Sequence, residues 1–267
     1  MTDQLEQHTP IRTDVPISMH PDTLSGVGKI LNQPDTIGVA AYSAAREALK
    51  ICHDSFGLLN DAEKATGESR PLNAAQRKEA LRSGQDVRMV NGVPTLVVAT
   101  DELVEAARQA WSRIGPSIDR RMKELKGFHE TFEKRVAEAL DNPSRKTSEG
   151  LALAAEVRAH VKNLSDGERL TFCMSAVDAG DKATVAAILH AQPFLSGLNQ
   201  AAQDALRKRA AAHFAPVDSA QYEATSQAIT RVMEAGNRLS ARYADIINRP
   251  ESPRAVAAKK VRALAGK

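Results

Sequence analysis

The amino-acid sequence predicts a mainly all-α chain: an elongated multi-helix bundle with heptad-patterned long helices and one small β-hairpin near residues 87–98. Three observations carry that expectation. Apolar residues recur at alternating steps of four and three in two long stretches, the spacing that lines a single helical face. Aromatic content is only 4%, so a core has to be built from Leu, Ile, Val and closely approached Ala, which suits thin helical packing. Asn91 and Gly92, lying between two valine-rich runs, form the one clear strand signal.

Residues 1–33 read as an extended arm, since Pro10, Pro16 and Pro21 interrupt any helix over residues 1–22 and only a short apolar turn, Leu24 to Leu31, follows. Such an arm is expected to lie on a neighbouring subunit or to stay free until assembly. A helical region spans 34–143. Pro34, Asp35 and Thr36 supply start signals for a helix to about Asn60, whose inner face runs through Ile37, Ala41, Ala44, Ala48, Ile51 or Cys52, Ser55 and Leu59. Residues 60–71 read as a loop, and Asn73 with Gln76 forms a capping box for a short helix ending near Ser83 and Gly84.

Val87–Val90 and Val93–Val98 then flank the Asn91-Gly92 turn, with Pro94 opposite Met89 at a non-hydrogen-bonded pair where a missing N–H costs little. Two strands alone are marginal, so the ribbon is expected to pack on helices or to pair with another chain. Thr100 opens a long helix over 101–141, in which Gly115 and Pro116 predict a kink or brief interruption. Its flanks carry i,i+4 pairs such as Asp119 with Lys123 and Lys134 with Glu138, each worth about 0.2–0.5 kcal/mol.

Asn142 and Pro143 end that helix, and 144–150 is the expected boundary to a C-terminal helical bundle at 144–249. Within it the pattern predicts helices over about 148–163, 166–179, 182–190, 198–214 and 219–248, with Ser165 and Glu168 as a capping box, Gly180 as a stop and Asp218 as a cap. Pro250 and Pro253 set off a basic tail, 250–267.

The two seams are the candidate interaction surfaces. The first holds Ile118, Met122, Leu125, His129, Phe132 and Val136; the second holds Ile229, Val232, Leu239, Tyr243 and Ile246. Sustained heptads are what oligomer seams are made of, so self-association through them is expected, with His129 a polar residue that fixes register or is hydrogen-bonded in the bundle. The tail is the other candidate. Arg254, Lys259, Lys260, Arg262 and Lys267 stand against one carboxylate, Glu251, while the whole chain carries a net charge of only +3. Three readings of the tail stay open: a solubilising end, a docking helix for an acidic protein surface, or a nucleic-acid contact.

Catalytic and cofactor signatures are incomplete wherever they begin. The run from Ser25 to Ile30 has glycines at Gly26 and Gly28 before Lys29, but Thr23 replaces the first glycine of a phosphate loop and Ile30 the magnesium-binding hydroxyl. His129 with Glu130 and Glu133 lacks the second histidine of a zinc helix. Cys52 and Cys173 form neither a disulfide framework nor a CxxC pair and read as small buried hydrophobes in a reducing compartment. No catalytic residue, cofactor or metal is therefore assigned. The N-terminus has no secretory pattern and no run is apolar enough to span a bilayer, so synthesis in the cytoplasm is expected.

The stretch Ala176 to Gly180, Asp181, Val185, Ile188 and Leu189 looks like the helical half of an ankyrin repeat, without the Thr-Pro-Leu-His that precedes one or a second copy. Continued through Ala191, Gln192, Pro193, Phe194, Leu195, Ser196, Gly197 and Leu198, the segment 170–198 resembles uncharacterised helical proteins encoded by phages and prophages. That resemblance implies virion or phage-associated service and carries no catalytic residues. The expectation is thus a non-enzymatic structural or assembly protein, most specifically a virion-associated one of internal core, ejection or scaffold type. Its expected partners are further copies of itself or other structural chains. The alternatives are a nucleic-acid-associated protein that uses the tail and an enzyme with an unrecognised helical site. Deleting residues 250–267 is expected to leave helical content and thermal unfolding nearly unchanged while weakening binding to an acidic partner or nucleic acid, the loss shrinking as salt rises; circular dichroism and binding titrations at two ionic strengths check this.

Overall fold

The computed structural model describes residues 14–248, apart from 33–34, 67, 83–86, 91 and 99–100. The fold is mainly α, with ten α-helices and three short strands among the described residues. Two 3-10 turns, Ile17–Met19 and Pro21–Leu24, precede α1 (Ser25–Leu31), α2 (Thr36–Thr66), β1 (Glu68–Pro71), α3 (Ala74–Arg82), β2 (Val87–Val90), β3 (Val93–Val98) and α4 (Asp101–Leu140). After a 3-10 turn at Pro143–Lys146 come α5 (Ser148–Asn163), α6 (Asp166–Asp178), α7 (Lys182–Leu189), α8 (Pro193–Ser196), α9 (Gln200–Phe214) and α10 (Pro216–Ile247). No helix among the described residues is long and apolar enough to cross a membrane.

Two compact units form, and neither is a contiguous stretch. Unit one gathers Met1–Gly28, Ala40–Leu125 and Ala228–Lys267; unit two gathers Lys29–Val39 and Lys126–Gln227. The consecutive division expected near 144–150 gives way to this interleaved one because α2, α4 and α10 each run from a segment of one unit into a segment of the other.

In unit one, α2 buries Ala41, Ala44, Ala45, Ala48, Leu49, Cys52, Ser55 and Leu59, the small-residue face that its spacing predicts, with Cys52 and not Ile51 inward. The described part of the predicted arm is not extended. Residues 17–24 coil into the two 3-10 turns, and Val15, Met19, Leu24 and Val27 are buried. Proline at the first position of a turn lacks only an N–H that would be unbonded there, so Pro21 starts a turn instead of preventing one. Residues 1–13 lie outside the described residues. Gly28 packs on Tyr42, whose ring would lie 2.7 Å from an added Cβ, so the glycine of the Ser25–Ile30 run serves close helix packing.

The hairpin forms in the predicted register, Val90 with Val93 and Met89 with Pro94, and Gly92 takes φ 78° at its turn. A third strand joins it. Residues 68–71, expected in a loop, pair antiparallel with β3 and place it at the centre of a β1-β3-β2 sheet. An edge position tolerates Pro71, and a strand reading Glu-Ser-Arg-Pro carries no alternating apolar pattern by which to see it. The Pro94 carbonyl accepts from Leu72 N–H at 2.7 Å, so the bonding side of Pro94 faces β1 and the hairpin loses nothing to the proline. Proline does not interrupt α4 either: the helix runs unbroken through Pro116.

Unit two is closed by a core of Leu140, Val161, Cys173, Val177, Val185, Ile188, Leu189, Leu198, Leu206, Ala210 and Ala211, contributed by α4, α5, α6, α7 and α9 with Leu198 from the link between α8 and α9. Side-chain caps fix its helix starts: Thr147 Oγ1 accepts from Gly150 N–H (3.1 Å), Asp181 Oδ1 from Thr184 N–H (3.1 Å) and Asn199 Oδ1 from Ala202 N–H (2.8 Å). Ser165 and Glu168 form the predicted capping box, and Gly180 stops α6 at φ 72°. The helix expected from 198 starts at Gln200, after the separate turn α8, because Gly197 at φ 70° ends that turn. Asp218 lies inside the first turn of α10 and does not cap it; the helix begins at Pro216.

Both cysteines are enclosed, and burial pushes the thiol of Cys52 up to about 12 and that of Cys173 to about 11. Neither thiol should react with a disulfide reagent near pH 8 until the chain unfolds. An unfolded thiol gives up its proton near 9.0 while the folded Cys52 keeps its proton to about 12, so urea stability should fall as pH rises through that window.

Candidate functional site

Within unit two, the C-terminal half of α4, the middle of α9 and the first turns of α10 border a cleft of about 310 Å³. Helical spacing places the lining residues. Glu133, Val136, Ala137 and Leu140 share one side of α4, while Asp204, Arg207, Lys208 and Ala211 share one side of α9. Ser219, Tyr222 and Glu223 complete it from α10. Val136, Ala137, Leu140, Ala211 and the Tyr222 ring give it an apolar lining, and carboxylates and cations alternate around them. Lys208 Nζ meets Glu223 Oε1 at 3.2 Å from α9 to α10, an exposed pair worth at most about 1 kcal/mol. Arg207 donates to the Leu189 carbonyl at 3.4 Å, which holds its guanidinium near the α7 end.

Tyr222 is set by a second contact. Its ring stacks on His129 with centroids 4.3 Å apart and planes at 20°. His129 Nδ1 is buried with no hydrogen-bond partner among the described residues, and the ring contact of this seam histidine is its stack on Tyr222. Six residues further along α4, Arg135 ties helix starts together. It donates to Asp35 Oδ2 at 2.7 Å and to Asp218 Oδ1 at 3.3 Å, and its guanidinium carbon lies 5.7 Å from the Phe132 ring centre. The Asp35 hydrogen bond raises the Arg135 pKa above its ordinary value, Asp218 adding to the effect against partial burial. Gln221, adjacent to Tyr222, is fully buried with both amide atoms unpartnered, and its Nε2 would stand 2.9 Å from a Cβ at Gly38. Gly38 therefore has room for no side chain.

The predicted seam residues divide between the units. Ile118, Met122 and Leu125 belong to unit one, where Ile118 and Leu125 are buried and Met122 is half-buried. His129, Phe132 and Val136 belong to unit two, with Phe132 fully buried. The second seam, Ile229, Val232, Leu239, Tyr243 and Ile246, lies wholly in unit one; all but Ile229 are buried, and Tyr243 faces Trp111 at 5.1 Å. Most of both seams, namely Ile118, Leu125 and Phe132 of the first and all but Ile229 of the second, is thus covered by the chain itself, while Val136 borders the cleft. The physical reason is that a heptad reports one apolar stripe on a helix and not whose residues cover it. The tail residues Arg254, Lys259, Lys260, Arg262 and Lys267 lie outside the described residues.

Sequence reasoning found Val136 but missed the α9 wall. The i,i+4,i+7 spacing of Asp204, Lys208 and Ala211 was the available signal, and alanine-rich composition diluted it. Among the described residues no group of three or more His, Cys, Asp or Glu is placed to hold a metal ion. An apolar lining with an alternating charged border can accept a partner's apolar side chain and fix its orientation through the border charges. No protein-family model, curated protein or solved structure matches the chain. Phe132→Ala is expected to cost about 3–5 kcal/mol in thermal or urea unfolding, by an amount independent of protein concentration, because the ring fills the chain's own core.

Proposed function

We propose that this chain is a structural or assembly protein that acts through protein–protein contacts and not through catalysis. The observation that carries the reading is the cleft of unit two, where Val136, Ala137, Leu140, Ala211 and Tyr222 offer an apolar seat beside Glu133, Asp204, Arg207, Lys208 and Glu223. That combination of dry centre and charged border is how interfaces gain affinity from one part and orientation from another. With most seam residues buried within the chain, contacts to further copies or to other structural chains fall to surfaces of this kind. The most specific version is a virion-associated role of core, ejection or scaffold type, which rests on the resemblance of residues 170–198 to phage-encoded helical proteins. Cytoplasmic synthesis followed by incorporation into a particle goes with it.

A second reading, nucleic-acid association through the tail, is supported by five basic residues against one acidic residue over 250–267. Sedimentation over about a hundredfold range of concentration tests the main proposal. The intact chain should form species heavier than its 28.8 kDa, and Ala137→Glu should return it to that mass with helical content retained. A strictly monomeric native chain that is also absent from purified particles would remove the assembly reading.

A further inference from the structure

The three-stranded sheet of unit one has two outer edges, and the pairing register determines what each of them presents. Strand order is β1-β3-β2, so β3 is bonded on both sides while β1 and β2 each keep one outer side. Along an antiparallel ladder, successive residues turn their N–H and C=O alternately to one side and to the other.

On β1 the Leu72 N–H bonds the Pro94 carbonyl, which assigns Arg70 and Glu68 to β3 and turns Ser69 and Pro71 outward. Pro71 has no N–H, so Ser69 carries the one donor that this edge offers between Glu68 and Pro71. On β2 the pair that closes the two-residue turn, Val90 with Val93, bonds across the hairpin, and Arg88 with Thr95 does the same. Val87 and Met89 therefore turn both of their donors and both of their acceptors away from β3. Among the described residues no strand takes them up.

Val87 and Met89 also share one face of β2, and the Met89 side chain is 60% exposed. An edge with unpaired donors and acceptors beside an uncovered methionine is a template for a further strand. The strand that fits is the same one from a second copy. Turned antiparallel about Arg88, two β2 strands pair Val87 of each copy with Met89 of the other, which bonds every outward group and packs each methionine on a valine. Such a two-fold joint uses the same edge from both copies and closes on itself, whereas joining β2 to β1 would meet Pro71. Its cost is that Arg88 stands opposite Arg88 of the other copy, and like charges directly opposite weaken a strand pair.

We propose that the β2 edge joins two copies of this chain into one continuous sheet of order β1-β3-β2-β2-β3-β1. The inference rests on the cleft reading, because so short a strand pair holds only copies that the cleft of unit two already brings together.

Cysteine cross-linking of the full-length chain tests this, since Cys52 and Cys173 are both buried. Residues opposed at a non-hydrogen-bonded antiparallel pair have Cα atoms about 4.5 Å apart, within disulfide reach. Arg88→Cys under a mild oxidant such as diamide should give a dimer of twice the 28.8 kDa chain mass. It should form about tenfold or more faster than from Ser69→Cys on the opposite edge. Met89→Pro removes an outward N–H and leaves the hairpin its own bonds, so in the Arg88→Cys chain it should abolish the fast dimer; Val87→Pro serves if that chain folds poorly. Equal rates for the two cysteine variants overturn the joint, as does a folded proline variant that cross-links as fast as its parent. A chain that assembles yet leaves Arg88→Cys without a dimer also overturns it, leaving the edge to a strand of another protein and the cleft reading standing. A fast cross-link that survives added Ala137→Glu supports the joint and removes the cleft as what gathers the copies.

Discussion

An α-helix with a single apolar stripe has to cover that stripe along its whole length, and here the stripes belong to helices of 40 and 32 residues. Leaving a Leu or Phe in water forgoes about 1.5–3 kcal/mol per side chain, so a stripe carrying Ile118, Leu125, Phe132 and Leu140 is a demand that the rest of the chain answers. In unit one the answer is backbone proximity. Ala41, Ala44, Ala45 and Ala48 let helix axes approach, and Gly236 leaves the space beside Ile118 open. In unit two it is a nest of short helices, α5 to α9, which bring Val161, Val177, Ile188 and Leu206 around Leu140. Low aromatic content follows from the same demand, since large rings would hold the axes apart.

Arginine supplies what small residues cannot, namely orientation. Arg135 joins Asp35 and Asp218 in unit two; Arg242 joins Asn60 and Glu63 in unit one; Arg121 joins Glu47 and Glu124 there. Each guanidinium is a planar fork with five donors, so a single side chain can bond two chain segments and set the turn at which they meet. Alanine-lined surfaces slide easily because they are smooth. Ion pairs at a few points remove that freedom, and stranding one partner of the most buried of them, Arg242 with Glu63, costs about 3–5 kcal/mol.

The helices were legible because their signals are local. The Ser165–Glu168 box and the Gly180 stop act within one turn, and each lies where its residue type requires. Strand β1 was not legible, since an edge strand ending in proline is recognised only by the partner β3 that it bonds. The N-terminal arm was misread for a related reason: Pro16 and Pro21 are equally suited to an extended arm and to the starts of 3-10 turns, and the choice between them is made by burial of Met19 and Leu24. At the cleft, Val136 stood out by periodicity. Asp204, Arg207 and Lys208 did not, because a charged residue on an alanine-rich helix looks the same whether it faces water or borders a depression.

The interleaving of the two units also sets an order of events on the ribosome. Every segment of unit two has left the exit tunnel once residue 227 is free, whereas unit one still waits for Val232, Leu239, Tyr243 and Ile246, and for Arg231 and Arg238, which hold residues near the start of the chain. Synthesis from the N-terminus usually lets the first-made part fold first. Here residues 14–28 are locked only after Arg231 and Arg238 have emerged, so until then the nascent chain carries an open, alanine-lined half.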